Sequence, residues 1–583
     1  MQISNQGKPS ALLILLSLFL IAWLTACQPA DDGGEVQAQR QQAVSTRIGE
    51  QEQLLADIET LASDAFGGRA PMSEGETRTL DFIEQRFVEL GLAPLFADGF
   101  RQQVPLAEIT TSPDASFSIT AAGEQYSFSY GDEVMLWSTR TEPEISLQNA
   151  ELIFAGYGIV APEYQWNDYA GLDVTNKIVI VLVNDPGFAS GDKNLFDGRS
   201  MTYYGRWTYK FEEAARQGAA GALIVHNTDA ASYPWAVVQN SWSGPQFHLQ
   251  QAASEAHREL QVAGWISADT SARLLMLKAQ EQADSGAETS TSTNLADWYS
   301  AALSDDFSGL PVGLNASIKL EQTIRYAHSY NIGARIKGSL RPQEMLIYTA
   351  HWDHLGSARN IAKGEDGIYN GAVDNATGVA GMLALAASLQ QQPQPKRSIA
   401  FLAVTAEESG LLGSAWYTQN PPLPMARHVA GINMDAMNVY GPTRDLVVVG
   451  YGQSEMEDYL RLYAGQQERI VAPEETPEAG GYYRSDHFNF AKHGVPMLYV
   501  DAGIDHVENG TAWLLEKQQR FTAEKYHKPQ DEVQNDWDLA GLQQDLWLYQ
   551  QIMLDLANAE VWPAWYEGSE FRQMRQQSRS QAN

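Results

Sequence analysis

Between residues 345 and 500 the chain alternates short apolar runs with amphipathic stretches, a rhythm that leaves few architectures open. Residues 345–349, 398–405, 429–433, 446–449 and 495–500 have the length and aliphatic content of buried strands. Helical spacing of apolar residues fills 379–391, 411–419 and 454–466. Strands alternating with helices predict an α/β fold, a mostly parallel mixed sheet flanked by helices. Such sheets bind ligands beyond the carboxyl ends of their strands, so polar residues directly after each run are the ones to inspect for chemistry.

Those positions hold an unusual set. His351 and Asp353 follow the first run, Glu407 and Glu408 the second, and Asp435 the third. Asp374 lies just before the first helix, and His527 follows Tyr526 near the end of the region. Each residue alone has an ordinary explanation, a structural histidine or a helix-capping carboxylate. Together they are hard-to-borderline oxygen and nitrogen donors at the end of the sheet where a site belongs. The chain has one cysteine, so thiolate zinc and iron–sulfur centres are excluded, whereas carboxylate and imidazole suit zinc and also cobalt or manganese. Neighbours on extended chain point in different directions, so one of Glu407 and Glu408 can hold a metal while the other faces a bound water.

The strings AHWDHLG, YNGAVDNATGVA, AVTAEESGLLGS, INMDA, YRSDHFNFAKHGVP and YHKPQDE occur in this order over residues 350–532. They resemble the co-catalytic dizinc peptidase family that includes secreted bacterial leucine aminopeptidases, aminopeptidase Y and glutamate carboxypeptidase II. The resemblance implies a zinc-exopeptidase fold and two Zn2+ per chain, with Co2+ or Mn2+ as substitutes. His351 and Asp435 would bind one ion, Glu408 and His527 the other, and Asp374 would bridge them. It implies further that Asp353 supports His351 from behind and that Glu407 is the general base for a zinc-bound hydroxide. Tyr526 would stabilise the oxyanion, and Arg484 would touch substrate, although it could instead pair with Asp486. His354 and His487 are expected to hydrogen-bond around the ligands rather than ligate. The implied activity is that of an aminopeptidase acting on peptides. A carboxypeptidase or dipeptidase on the same scaffold, a single-zinc glutaminyl cyclase, and a non-catalytic surface receptor are the alternatives.

At 583 residues the chain exceeds one ordinary hydrophobic core. Residues 1–26 have the shape of a signal peptide: Lys8 precedes an apolar run over 11–24, too short for a typical membrane span. The tetrapeptide ending at Cys27 resembles the bacterial lipobox. A lipid on Cys27 would tether an exported protein to a membrane, the outer membrane being the expectation drawn from Gln28, through a flexible segment 27–44. The expected plan continues with an amino-terminal part of the peptidase domain at 45–146, including helices over 52–61 and 76–90 with Gly91 as stop signal. An inserted β-rich domain follows at 147–315, the catalytic domain at 316–562, and a polar, frayed tail at 563–583. The insertion's FAGYGIV and GAAGALIV strings resemble a protease-associated domain, with a surface loop at 281–294. With 39 basic against 72 acidic residues the net charge is -33, which repels phosphate backbones and excludes nucleic acid as the expected partner. Membrane contact is expected only through the lipid, and the sequence leaves the oligomeric state open.

Overall fold

The strands of the second half are buried on both faces, which is why they read as continuous apolar runs rather than alternating ones. The computed structural model describes residues 47–250, 259–285, 294–304, 307–358 and 365–582. The signal peptide, the tether with Cys27 and residues 286–293 of the expected surface loop lie outside them; residues 281–285 continue the helix Ala268–Ser285. Strand Arg341–His351 lies at the centre, parallel to Arg397–Val404 on one side and to His428–Asn433 on the other. Met497–Asp501 extends the sheet in parallel, and Asp445–Val448 closes onto it antiparallel. The carboxyl ends of four parallel strands therefore share one edge of the sheet.

Helices cover both faces. Thr377–Gln390 and Ala540–Asn558 are buried along most of their length and share one core with the early helices Gln51–Leu61 and Glu74–Glu89. Ser73 caps the second of these by accepting from the Glu76 backbone N–H, and Gly91 ends it at φ +69°.

A second body has its own core, running from Ala115 to Leu320. Strands 116–137, expected in the amino-terminal part of the peptidase domain, pack into this core, ahead of the boundary expected at 147. The cause is the strand Leu310–Ile336, 27 residues long. Its first half pairs with Ser116–Ala121 and Glu144–Phe154 of the second body, and its last residues pair with Arg397–Val404 of the central sheet. One strand thus belongs to both cores, with Val312, Leu314 and Ile318 in one and Ile332 and Ala334 in the other.

The tail is not frayed. Trp565 is buried and donates to the Gly494 carbonyl, and helix Arg572–Ala582 seats Arg575, 6% exposed, so that Nη2 donates to the carbonyls of His428 and Val429 at 2.9 Å each. The polarity that suggested a loose end serves instead to satisfy backbone oxygens at the start of a central strand. Arg575→Ala should lower unfolding free energy by about 1.5–3 kcal/mol, the scale of a hydrogen bond to a charged group. The expected readout is a reduced urea midpoint at unchanged slope. A midpoint equal to the parent's would mean that the tail contributes nothing to the fold.

Candidate metal centre

Side chains from separate loops converge at the shared sheet edge. His351 ends the central strand, and its Nε2 lies 3.1 Å from Asp435 Oδ1 and 3.3 Å from Asp374 Oδ1. His527 Nε2 lies 3.2 Å from Asp374 Oδ2 and 3.2 Å from Glu408 Oε2. Asp374 therefore turns one oxygen to each histidine. Donors about 2.0–2.1 Å from a tetrahedral zinc ion stand about 3.3 Å from one another; His351, Asp374 and Asp435 offer ligand atoms all within 4.8 Å of one another, as do His354, Asp374 and Glu408, and His527 stands 3.2 Å from both Asp374 and Glu408.

The loops owe their shape to buried polar contacts. Asp374 sits in an irregular turn before helix Thr377–Gln390, where the Asp374–Asn375 peptide is cis. Gly371, at φ +55°, permits that turn: a Cβ there would stand 2.2 Å from the Asp374 carbonyl and 2.6 Å from the His354 ring. Asn375 Nδ2 donates to the Met434 carbonyl, and Asn375 Oδ1 accepts from the backbone of Gly378 and Ala436, tying this turn to the one that carries Asp435. The other oxygen of Asp435 accepts from Ser485 Oγ at 2.6 Å, and Ser485 accepts in turn from Asn433 Nδ2.

Two positioning residues escaped the sequence reading. Asp531, fully buried, accepts the backbone N–H groups of Val373 and Asp374 at 3.1 Å each, linking the His527 loop to the turn that carries Asp374. Arg69, 1% exposed, donates to the carbonyls of Leu61, Trp352, Asn370 and Gly371 and braces two ligand-bearing loops. Both perform backbone bonding, which leaves no periodicity or spacing for sequence analysis to detect. For Asp531 the one available sign was its place inside the string YHKPQDE.

Asp353 supports His351 differently from the expectation. Its backbone carbonyl, not its carboxylate, lies 3.1 Å from His351 Nδ1, while the carboxylate accepts from the Glu407 backbone N–H at 3.1 Å. His354 Nδ1 stands 2.6 Å from Glu408 Oε1 and so holds the oxygen that faces away from His527. His487 is buried against the rings of Tyr482 and Tyr499, not beside a ligand. Tyr526 stacks on His527 with ring centroids 3.9 Å apart and lines the cavities on both sides of the cluster. Arg484 donates to the Ala479 carbonyl at 2.6 Å, and Asp486 accepts instead from Ser414, so the alternative pairing of these two is not formed.

Glu407 follows Ala406, whose φ of +51° aims the turn, and its carbonyl accepts from Gly410 and Leu411. Its carboxylate lies at the junction of two cavities, one containing His351 and Asp374, the other Glu408 and His527. Burial raises this carboxyl well above its ordinary range; His351 opposes the rise, and Asp435, Glu408 and Asp486 reinforce it. Burial alone would depress His527, but its contacts with Asp374 and Glu408 hold the ring up at about 10. A cluster that retains protons on imidazole so firmly has a negative field that divalent cations would answer, and its donors are the oxygen and imidazole types that suit zinc. The residues present fit such ions.

Residues 331–550 match the family model described as Peptidase family M28. Over 219 residues the chain is 27% identical to leupeptin-inactivating enzyme 1 of Streptomyces exfoliatus, covering 37% of this chain and 45% of that protein. Over 232 residues it is 23% identical to aminopeptidase YwaD of Bacillus subtilis (strain 168), covering 40% of this chain and 45% of that protein. The chain thus spans under half the length of these relatives. Among solved structures, an aminopeptidase from Aneurinibacillus sp. strain AM-1 aligns at 18% identity and TM-score 0.45, covering 88% of this chain and 95% of that one.

Removing the Asp531 carboxylate tests the frame. Asp531→Ala should weaken zinc binding about 10–100-fold in a chelator competition while far-ultraviolet circular dichroism stays at the parent's, the usual cost of losing a group that orients ligands. Parent-like affinity would show that Asp374 needs no such anchor.

Proposed function

We propose that this chain, whose residues 331–550 match peptidase family M28, is an exported zinc-dependent aminopeptidase that removes the amino-terminal residue of peptides. One observation carries the reading: two three-member donor sets share Asp374, with Glu407 uncommitted beside them. His351 and Asp435 would hold one ion, Glu408 and His527 a second, and Asp374 both. When bound, the pair supplies Lewis acidity and makes water a usable nucleophile near neutral pH.

The chain's own groups do the rest. Glu407 accepts the proton of the attacking water and returns it to the departing amine. Asp353 fixes the Glu407 backbone and, through its carbonyl, the His351 ring, so base and ligand share one support. The Tyr526 hydroxyl donates to the oxyanion as it forms. A cavity of about 380 Å3 beside the cluster is walled by Glu474, Glu475 and Asp501 with Arg484 at its border, an enclosure that stays negative on balance and suits a substrate ammonium better than a carboxylate. That wall favours an aminopeptidase over a carboxypeptidase.

Glu407→Gln should retain two zinc equivalents per chain and lose about 10²–10⁴-fold in kcat on an aminoacyl chromogenic peptide. Hydrolysis at the parent rate would remove Glu407 from the mechanism. The amino-blocked form of the same substrate should resist the parent protein; cleavage of both forms alike would favour the carboxypeptidase or dipeptidase, and one zinc equivalent with cyclised product the glutaminyl cyclase.

We extend the reading to the amino terminus, where the apolar run and Cys27 support export and lipid attachment facing the periplasm or exterior. Expression in a Gram-negative host with labelled palmitate should yield a labelled membrane-bound protein, and Cys27→Ala should be unlabelled. Equal labelling of both would place the lipid elsewhere.

A further inference from the structure

A cavity of about 490 Å3 runs between the second body and the metal cluster, and the peptidase reading leaves two of its arginines without a task. Arg206, Thr208 and Arg484 line it together with Glu407, Glu408 and His527. Neither arginine is in an ion pair among the described residues, although acidic residues outnumber basic ones 72 to 39 in this chain. Arg206 Nε and Thr208 Oγ1 are buried without a hydrogen-bond partner. Such orphaned donors cost free energy unless a ligand satisfies them.

The backbone adds to the same field. Arg206 stands at the N-cap of helix Trp207–Arg216, where no side chain caps the end and the helix dipole already favours an anion. A cation at that position is the reverse of what helix stability selects. Burial above all, and then the nearby Arg484 charge, pull the Arg206 guanidinium down to about 10, with Tyr233 opposing them. Arg206 contacts the Trp207 ring at 5.2 Å, which orients its plane. Of the three carboxylates lining this cavity, Glu407 and Glu408 belong to the metal cluster, and Glu212, on the side of the second body, is already engaged by Lys492, Arg216 and Tyr203. Arg484 donates to Ala479 and lies within reach of the Glu474 field, which spans it between this cavity and the acidic one beyond the cluster.

We propose that Arg206, Thr208 and Arg484 form a carboxylate-binding subsite on the leaving-group side, so that the enzyme favours peptides carrying an anionic group beyond the scissile bond. The proposal rests on the peptidase reading and adds polarity to it: the substrate ammonium enters the Glu474–Glu475 wall, and its anionic end meets the second body. Guanidinium pairs bind carboxylates through parallel N–H donors, and a hydroxyl supplies a third. The carboxylate comes either from the carboxyl terminus of a short peptide or from an acidic side chain.

Four peptides separate these sources: Leu-Ala against Leu-Ala-amide for the terminus, and Leu-Glu-amide against Leu-Gln-amide for the side chain. In the parent protein at least one acid should exceed its neutral partner in kcat/KM by about 10–100-fold, the scale set by hydrogen bonds to a charged group. Arg206→Met should collapse that ratio toward unity mainly through KM, Arg206→Lys should restore part of it, and Thr208→Val should reduce it less. Ratios near unity in the parent, or a ratio unmoved by Arg206→Met, would overturn the subsite while leaving the peptidase standing. Absence of hydrolysis of all four peptides, with two zinc equivalents bound, would instead overturn the peptidase reading itself.

Discussion

Carboxylates gathered around shared imidazoles repel one another, and the body built on the central sheet is organised around holding them together. Asp353, Asp374, Glu407, Glu408 and Asp435 share one edge of the sheet with two imidazoles between them. Burial strips away the water that would screen that repulsion. What resists it is a frame of fixed backbone dipoles and one interior cation: Arg69 beneath the loops, Asp531 gripping two amides, and Asn375 fastening one ligand turn to the next. The helices and strands around them supply rigidity, and the frame converts that rigidity into the position of individual oxygens. A centre of this kind is preorganised for charge that arrives from outside the chain.

Much of this was legible in the residue order, for reasons that can be stated. Strands buried on both faces announce themselves by aliphatic density, so 345–349 and 398–405 fall within Arg341–His351 and overlap Arg397–Val404. Polar residues placed directly after such runs are conspicuous, and the geometry brings His351, Asp374, Glu408, Asp435 and His527 to one locus. The supporting contacts were hidden because they run to backbone atoms. No residue pattern encodes that the Asp353 carbonyl, rather than its side chain, meets His351. The strand Leu310–Ile336 escaped for another reason: its alternation of buried and exposed positions changes partner midway, so neither half resembles a complete element of one domain. The tail was misread because a buried arginine and a solvated one are identical on paper.

The second body acquires meaning from its place at the cleft. It delivers Arg206, Thr208 and Trp207 to a cavity whose opposite wall holds Glu408 and His527. Trp207 and Trp242 also border an adjoining space of about 680 Å3, where Trp242 stacks on Trp137 at 3.7 Å, so the cleft offers aromatic surface next to charge. Tyr209 and Trp235 of the same segment bond to backbone instead, Tyr209 at Val160 and Trp235 at Gly131. Aromatic residues of one segment have thus divided between lining and structure.

The strand common to both cores makes the width of that cleft a question of register. Because Leu310–Ile336 is hydrogen-bonded in one body and then in the next, the two are spaced as beads on a ratchet rather than as leaves on a hinge. Slippage by two residues would carry the arginine wall about 6–7 Å along the strand while keeping every side chain on its face. Slippage by one would turn the faces over and unmake both cores. The spacing of arginine wall and carboxylate cluster is thereby quantised: it can change only in steps of a residue pair, and reach is lengthened or shortened by counting.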